Sequence, residues 1–247
     1  MVKMRFFIYT FFICLFCMSC AEDSSCVISK GNHTQKEIPL TAFSAIDIPE
    51  NVEVEIVESD EYKLEIHSYE NLMDNFDFHI DNHTLKIYNY NACNMLAAKK
   101  MAQLKIYTPT LEKIESRTQF KVFSTDTLRF PKLYLHTSLP QESSSTHFQI
   151  LCNNQYVYVE DNQVGYFELK GKTNQLDIKL YGGNSKVEAE HLKSDTVYIF
   201  HRSNQNILVK PIFLLEGVIG SVGNVYSYHK PDSVNISRLY SGDLIYL

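Results

Sequence analysis

The sequence has no tryptophan, few glycines (9) and prolines (7) among its 247 residues, and no run of basic side chains. Each absence removes a class of function. With a formal net charge of −6 and no basic cluster, the chain lacks the electrostatic footprint that neutralises phosphates, so nucleic acid is discarded as a partner. The lack of tryptophan argues against a glycan-capture role, because sugar platforms favour large aromatic faces. No GxSxG elbow, HExxH helix, GxxxxGK phosphate loop or dinucleotide GxGxxG is present, and no cofactor is expected. The run Gly217-Val218-Ile219-Gly220-Ser221-Val222-Gly223 is glycine-rich, but no helix pattern follows it. Its glycines read as corners of a β structure rather than as an anion cradle.

What is there begins with the leader. Lys3 and Arg5 precede the apolar stretch Phe6 to Met18, and the small Ser19 precedes Cys20. The apolar run falls short of the ~20 residues a bilayer requires, so residues 1–19 read as a cleaved export signal rather than a span. Cys17-Met18-Ser19-Cys20 resembles the lipobox of bacterial lipoproteins, with Cys17 where leucine is usual. The resemblance implies that Cys20 carries lipid and that the membrane is a partner through it, each buried CH2 contributing about 0.8 kcal/mol. Ala21-Glu22-Asp23 is similar to the acidic export tag of Bacteroidetes-type lipoproteins. It implies an outer-membrane or cell-surface location, with a periplasm-facing anchor as the alternative.

The 247 residues less these 19 leave 228, and the loss of Lys3 and Arg5 takes the net charge from −6 to −8. A hydrophobic fraction of 45% is that of a globular chain with a real core. Cys14 and Cys17 leave with the signal, so Cys26, Cys93 and Cys152 remain beside the lipidated Cys20. Their number is odd and their spacing wide, which indicates neither a disulfide framework nor a zinc site. Cys93 and Cys152 read as free buried thiols, with one disulfide among the three left open.

Residues 20–36 are polar and suit a tether between lipid and domain. From about residue 37 the chain alternates polar and apolar at period two: Asn51-Val52-Glu53-Val54-Glu55-Ile56, Tyr62-Lys63-Leu64-Glu65-Ile66, Thr84-Leu85-Lys86-Ile87-Tyr88 and Leu104-Lys105-Ile106-Tyr107. The one window of helix-friendly composition, Met95 to Ala102, is short and reads as a loop or a single turn. In residues 111–247 short alternating segments recur about every 20 residues, among them Leu133-Tyr134-Leu135, Tyr156-Val157-Tyr158-Val159, Leu176-Asp177-Ile178-Lys179-Leu180 and Val197-Tyr198-Ile199. That period is the signature of a solenoid whose coils share one core. Gly182-Gly183-Asn184, Gly223-Asn224 and Ser241-Gly242-Asp243 supply positive φ angles for its corners. The fold class is therefore all-β, a parallel β-solenoid (111–247) behind an N-terminal β region (37–110). A β-sandwich of antiparallel hairpins is the competing architecture.

Ile38-Pro39-Leu40-Thr41-Ala42-Phe43-Ser44-Ala45-Ile46-Asp47-Ile48, Asn82-His83-Thr84-Leu85-Lys86-Ile87, Leu104 through Ile114 with its Pro109-Thr110-Leu111 turn, and the closing Gly223-Asn224-Val225-Tyr226-Ser227-Tyr228 resemble stretches of the head GIN domain family of auto-transporter adhesins in bacterial envelope proteins. Typical members repeat Ser-Gly-x-Gly at each corner, and here Ser116-Arg117-Thr118, Ser143-Ser144-Ser145 and Gly182-Gly183 stand instead. The resemblance implies a β-solenoid with an adhesin-like binding or scaffold role and no catalysis. The alternatives are a β-helical carbohydrate-active enzyme and a glycan-capture lipoprotein.

Candidate chemistry is sparse. His79 and His83, near Asp77 and Asp81, have strand spacing for a surface metal site, but Asn82-His83-Thr84 reads as a hairpin turn that breaks the shared face. Glu188 with Glu190, or Asp60 with Glu61, could pair for acid/base work, yet Lys186, His191 and Lys193 beside the first pair give the composition of a solvated strand. The binding potential lies in tyrosines at i, i+2 spacing, Tyr156 with Tyr158 and Tyr226 with Tyr228. Tyr156 reads as core filler, whereas Tyr158, Tyr226 and Tyr228 are the candidate surface for an unknown protein or glycan. Strand edges at the solenoid ends need covering, by the alternating N-terminal segment or by self-association.

Overall fold

The computed structural model describes residues 30–91, 102–137 and 145–247. The predicted signal, Cys20, Cys26, Cys93 and all but the last residue of the Met95–Ala102 window lie outside them. Among the described residues the period-two pattern becomes seventeen strands in one coiled sheet. In chain order they are β1 His33–Pro39, β2 Ala45–Ile48, β3 Val52–Glu58, β4 Lys63–Tyr69, β5 Phe76–Asp81, β6 Thr84–Asn89, β7 Ala102–Thr108, β8 Lys113–Ser116 and β9 Lys121–Phe123. There follow β10 Lys132–Thr137, β11 His147–Asp161, β12 Tyr166–Leu180, β13 Lys186–His201, β14 Ile207–Ile219, β15 Val225–Ser227, β16 Ser233–Arg238 and β17 Leu244–Tyr246. The one helix among the described residues, α1 (Glu70–Met73), is a single turn that buries Leu72.

From β11 to β14, each coil is one long bent strand with two legs. His147 pairs with Tyr166 and Tyr166 with Lys186 on the first leg; Tyr156 pairs with Gln175 and Gln175 with Thr196 on the second. The pairing is parallel at an offset of about 20 residues, which is the solenoid read from the sequence. It also removes the sandwich. The first legs form one wall, continued toward the N-terminus by β9, β3, β7, β4 and β1 and toward the C-terminus by β15 and β17. The second legs form the other, flanked by β10, β8, β2, β6 and β5 on one side and β16 on the other. Only β1–β4, β4–β7 and β5–β6 pair antiparallel, so strands before residue 111 already stack in parallel with the later coils.

The core follows from register. Ile46, Ile114, Leu135, Val159, Ile178 and Ile199 stack in one inward column of the second wall. Val122, Phe148, Phe167, Val187, Ile207 and Val225 stack on the first, with the Phe148 and Phe167 rings 5.1 Å apart. All are buried, and full burial of such a side chain stabilises by roughly 1.5–3 kcal/mol. The next position after Ile199 is Gly217, at φ +146, where an added Cβ would lie 1.9 Å from the Ile199 carbonyl oxygen.

Corners are held by buried polar groups. Asp161, at the end of β11, accepts hydrogen bonds from Thr137 Oγ1 and Ser185 Oγ on the adjoining coils. It also accepts from the backbone N–H groups of Asn162 (2.8 Å), Gln163 (3.1 Å) and Gly165 (2.6 Å). Five donors on two oxygens leave nothing of the carboxylate unmet. Asp161→Asn replaces one acceptor oxygen by a donor facing donors, and urea unfolding is expected to show a loss of about 2 kcal/mol; an unchanged midpoint would show that the corner holds without it.

Two sequence expectations change here. β1 starts inside the stretch read as tether, because His33 to Lys36 pair through their backbones with β4, a bond that polar side chains do not hinder. Gly217, read as a corner, lies inside β14 and in its inward column. Asn82 and His83, with φ of 48° and 60°, form the two-residue hairpin turn between β5 and β6 that their sequence indicates. Cys152 is a free buried thiol, and burial pushes its pKa up to about 12.

Candidate binding surface

The two walls differ on their outer faces. Val157 and Val159 point inward and are fully buried, so the alternation turns Tyr156 and Tyr158 outward. Tyr156 is therefore not core filler. The inward positions of β11 are already taken by the two valines, and a period of two leaves the tyrosines only the other face. Register then adds residues that are distant in sequence. Tyr134 of β10 pairs directly with Tyr158, and His136 with Glu160.

The result is a contiguous aromatic cluster. The Tyr134 ring lies 5.6 Å from both Tyr156 and Tyr158, and His136 lies 5.6 Å from Tyr158. Each separation suits an edge or tilted aromatic contact. Tyr156 Oη donates to Asp177 at 2.9 Å and Tyr158 Oη to Glu160, while the Lys179 ammonium sits 5.4 Å over the Tyr158 ring. Burial, then the neighbouring carboxylates, push both tyrosine pKa values up, so the hydroxyls stay neutral donors. Burial, helped by Lys113, pushes His136 down, which keeps the ring uncharged at neutral pH. Further along the wall Tyr181 contacts Phe200 at 5.5 Å. The rings are half-buried, Tyr181 more open at 42%.

Tyr226 and Tyr228 do not join this cluster. They belong to and follow β15 on the other wall, Tyr226 half-buried with its hydroxyl 3.5 Å from Asn224 Nδ2, and Tyr228 exposed. Tyr134, His136 and Phe200 were not singled out in the sequence. The signal was present in the alignment of Leu133-Tyr134-Leu135 with Val157-Tyr158-Val159 one coil later.

The outer face of the first wall is charged and self-compensating. Lys63 pairs with Glu65 at 2.9 Å, Lys170 with Glu168 at 2.6 Å, and Lys186 with Glu188. The Lys170 hydrogen bond holds Glu168 below the usual carboxylate range. At Glu188 burial pulls upward, but Lys186 and the Tyr166 hydroxyl outweigh it. Glu190 lies 4.0 Å from His191. Asp60 lines an open cavity of about 570 Å³ with Glu58, Asp126 and Arg129, and Glu58 there accepts the Arg129 N–H. His79 contacts Asp77 at 2.7 Å, while His83 sits in the hairpin turn. Among the described residues no three ligating side chains converge on a point where a metal would sit.

Comparison with known proteins decides the family. The family model described as "Putative auto-transporter adhesin, head GIN domain" matches residues 42–231. The chain belongs to this head GIN family. Three solved structures share its fold. One, described as a putative adhesin from Bacteroides fragilis, has 18% identity and a TM-score of 0.76 over 87% of this chain and 97% of its own. A second, described as a putative lipid binding protein from Parabacteroides distasonis, has 14% identity and a TM-score of 0.64 over 87% and 97%. A third, a putative adhesin from Parabacteroides merdae, has 14% identity and a TM-score of 0.59 over 89% and 98%. No curated protein matches the chain. The head GIN match leaves out β1, β16 and β17, three of the four strands at the ends of the stack.

Proposed function

We propose that the protein is a lipid-anchored adhesin-like protein of the cell surface that binds a protein or glycan through its aromatic wall and does no chemistry. The observation that carries this reading is the Tyr134, His136, Tyr156 and Tyr158 cluster, four rings from two coils in mutual contact on an outward face. Rigid amphipathic rings offer large contact area at a low entropy cost, which suits a surface that must stay wet until it binds. The carboxylates of the other wall support the non-catalytic part. Held low by lysines, Glu168 and Glu188 carry no proton to donate near neutral pH. Cys20 would supply the anchor, and Tyr226 with Tyr228 remain a second, smaller patch.

The test uses cells carrying the full chain. Added protease is expected to remove the protein from intact cells, and Cys20→Ala to release it from them. With immobilised mucin as probe, because it presents both protein and glycan, the double variant Tyr134→Ser, Tyr158→Ser is expected to lower attachment at least about tenfold. Protection from protease in intact cells would overturn the surface reading, and undiminished attachment would overturn the aromatic wall as the site.

A further inference from the structure

The two ends of the stack are not alike. At the N-terminal end the outermost strands are blunted: β1 carries Lys36, Glu37 and Pro39, and β5 carries Asp77, His79 and Asp81. Charge and proline on an edge strand are the usual defence against further pairing. At the C-terminal end β16 pairs with β14 and β17 with β15, and no described strand lies beyond either. β16 reads Ser233-Val234-Asn235-Ile236-Ser237, uncharged until Arg238. Five of the twelve large apolar side chains exposed among the described residues, Val234, Leu239, Tyr240, Tyr246 and Leu247, fall in the last 14 residues. The core therefore runs out to an open end.

We propose that this end is an interface with a second copy of the same chain, formed by antiparallel pairing of β16 with β16 about a two-fold axis. Register can be argued. The Leu239 N–H donates to the Ile219 carbonyl of β14, so from Ser233 to Leu239 odd positions bond inward and even positions turn their N–H and C=O toward the open edge, while Asp232, ahead of β16, donates inward to the Ile212 carbonyl at 3.4 Å. A two-fold axis normal to the wall keeps inner side chains facing inward on both copies, which requires residues of equal parity to oppose. Pairing centred on Asn235 meets both conditions. It sets Val234 against Ile236 of the second copy, closing the core across the junction. It also brings Arg238, which pairs with Asp243 of its own chain at 2.5 Å, beside Asp232 of the second copy, so opposite charges meet at each end of the ladder. The exposed apolar side chains add on the order of 500 Å² per copy, so the pair buries on the order of 1,000 Å², the lower bound for a specific interface. Because the far end is blunted, the contact closes at two copies rather than running on as a filament.

The contact itself does not rest on the anchored-adhesin reading. If both hold, the two tethers leave from opposite ends of the pair, each on the order of 50 Å from the junction at ~4.8 Å per strand, and the copies join opposed surfaces.

Cysteine cross-linking on the full chain in native membranes tests the register. Asn235→Cys opposes its own counterpart in a non-hydrogen-bonded pair, with Cα atoms about 4.5 Å apart, within disulfide reach. Under mild oxidation it is expected to give a covalent dimer at least tenfold above the wild-type background. Ser233→Cys opposes Ser237 and is expected to stay near background alone but to cross-link with Ser237→Cys. In detergent, sedimentation of Arg238→Asp should show at least tenfold weaker association, and Asp232→Arg combined with it should restore the pair. A dimer yield from Asn235→Cys no greater than wild type, equal yields from Ser233→Cys and Asn235→Cys, or a ladder above the dimer would each overturn the proposal. All these positions are on the exposed edge strand or beside it, so loss of folding does not confuse the result.

Discussion

Gly217→Ala is expected to lower the unfolding free energy by about 3–5 kcal/mol, and Gly217→Val to yield little folded protein. The residue interrupts the inward column that runs from Ile46 to Ile199, and it does so where the backbone takes φ +146. A side chain there meets the Ile199 carbonyl oxygen at 1.9 Å. Backbone cannot swing aside as a long side chain can, so the coil must shift or the strand must break its pairing. Gly220→Ala is the control, since its nearest neighbour is the Arg202 Cγ at 3.4 Å and its φ is ordinary. It should change stability by no more than about 0.5 kcal/mol. Urea unfolding of the three proteins decides the matter: equal midpoints for Gly217→Ala and Gly220→Ala would show that the coil accommodates a Cβ at both.

The second large effect is one of pH. His201 ends β13 with its ring fully buried between Leu180 and Ile219, and no side chain offers either ring nitrogen a hydrogen bond. Burial pushes its pKa down from 6.5 to about 4, the Gly223 backbone opposing this only in part. The folded pKa lies below the unfolded one, so the unfolded chain binds the proton more readily between those values. Stability from this group is complete above pH 6.5 and is lost as pH falls toward 4, to a total of about 3 kcal/mol. His136 and His147, both lowered mainly by burial, add to the same trend. The diagnostic is therefore a difference: His201→Leu, matching its neighbours in the column, is expected to be more stable than wild type at pH 4.5 by 2 to 3 kcal/mol relative to their difference at pH 7.5. Parallel stability curves for the two proteins across that range would sink the assignment.

The walls were legible because period-two alternation and a 20-residue repeat are properties of the sequence itself. Val157 flanked by Tyr156 and Tyr158 announces a strand with two unlike faces, and Gly182-Gly183-Asn184 announces a corner. Which face is inner is not announced by one strand, since tyrosine suits either side of a sheet. Tyr156 was misplaced for that reason, and it took the neighbouring coils, with Leu135 and Ile178 stacked on Val159, to settle it. The aromatic cluster was partly hidden for a related reason: Tyr134 and Tyr158 are 24 positions apart, a distance set by an irregular coil rather than by the later period. The parallel stacking of β2 and β3 on β7, β8 and β9 was less legible still. Those partners stand tens of residues away, and nothing local fixes a pairing over such a loop.

The coil repeat also sets how this molecule can change its dimensions. Tyr166 and Lys186 occupy equivalent register positions, so the 20 residues between them could be duplicated or removed with both ends left as they are. Length then varies in steps of one strand spacing, ~4.8 Å, while whatever each end does is inherited unaltered. A lineage built on such a plan has a ruler with fixed fittings, and its reach can drift without any need to reinvent either end.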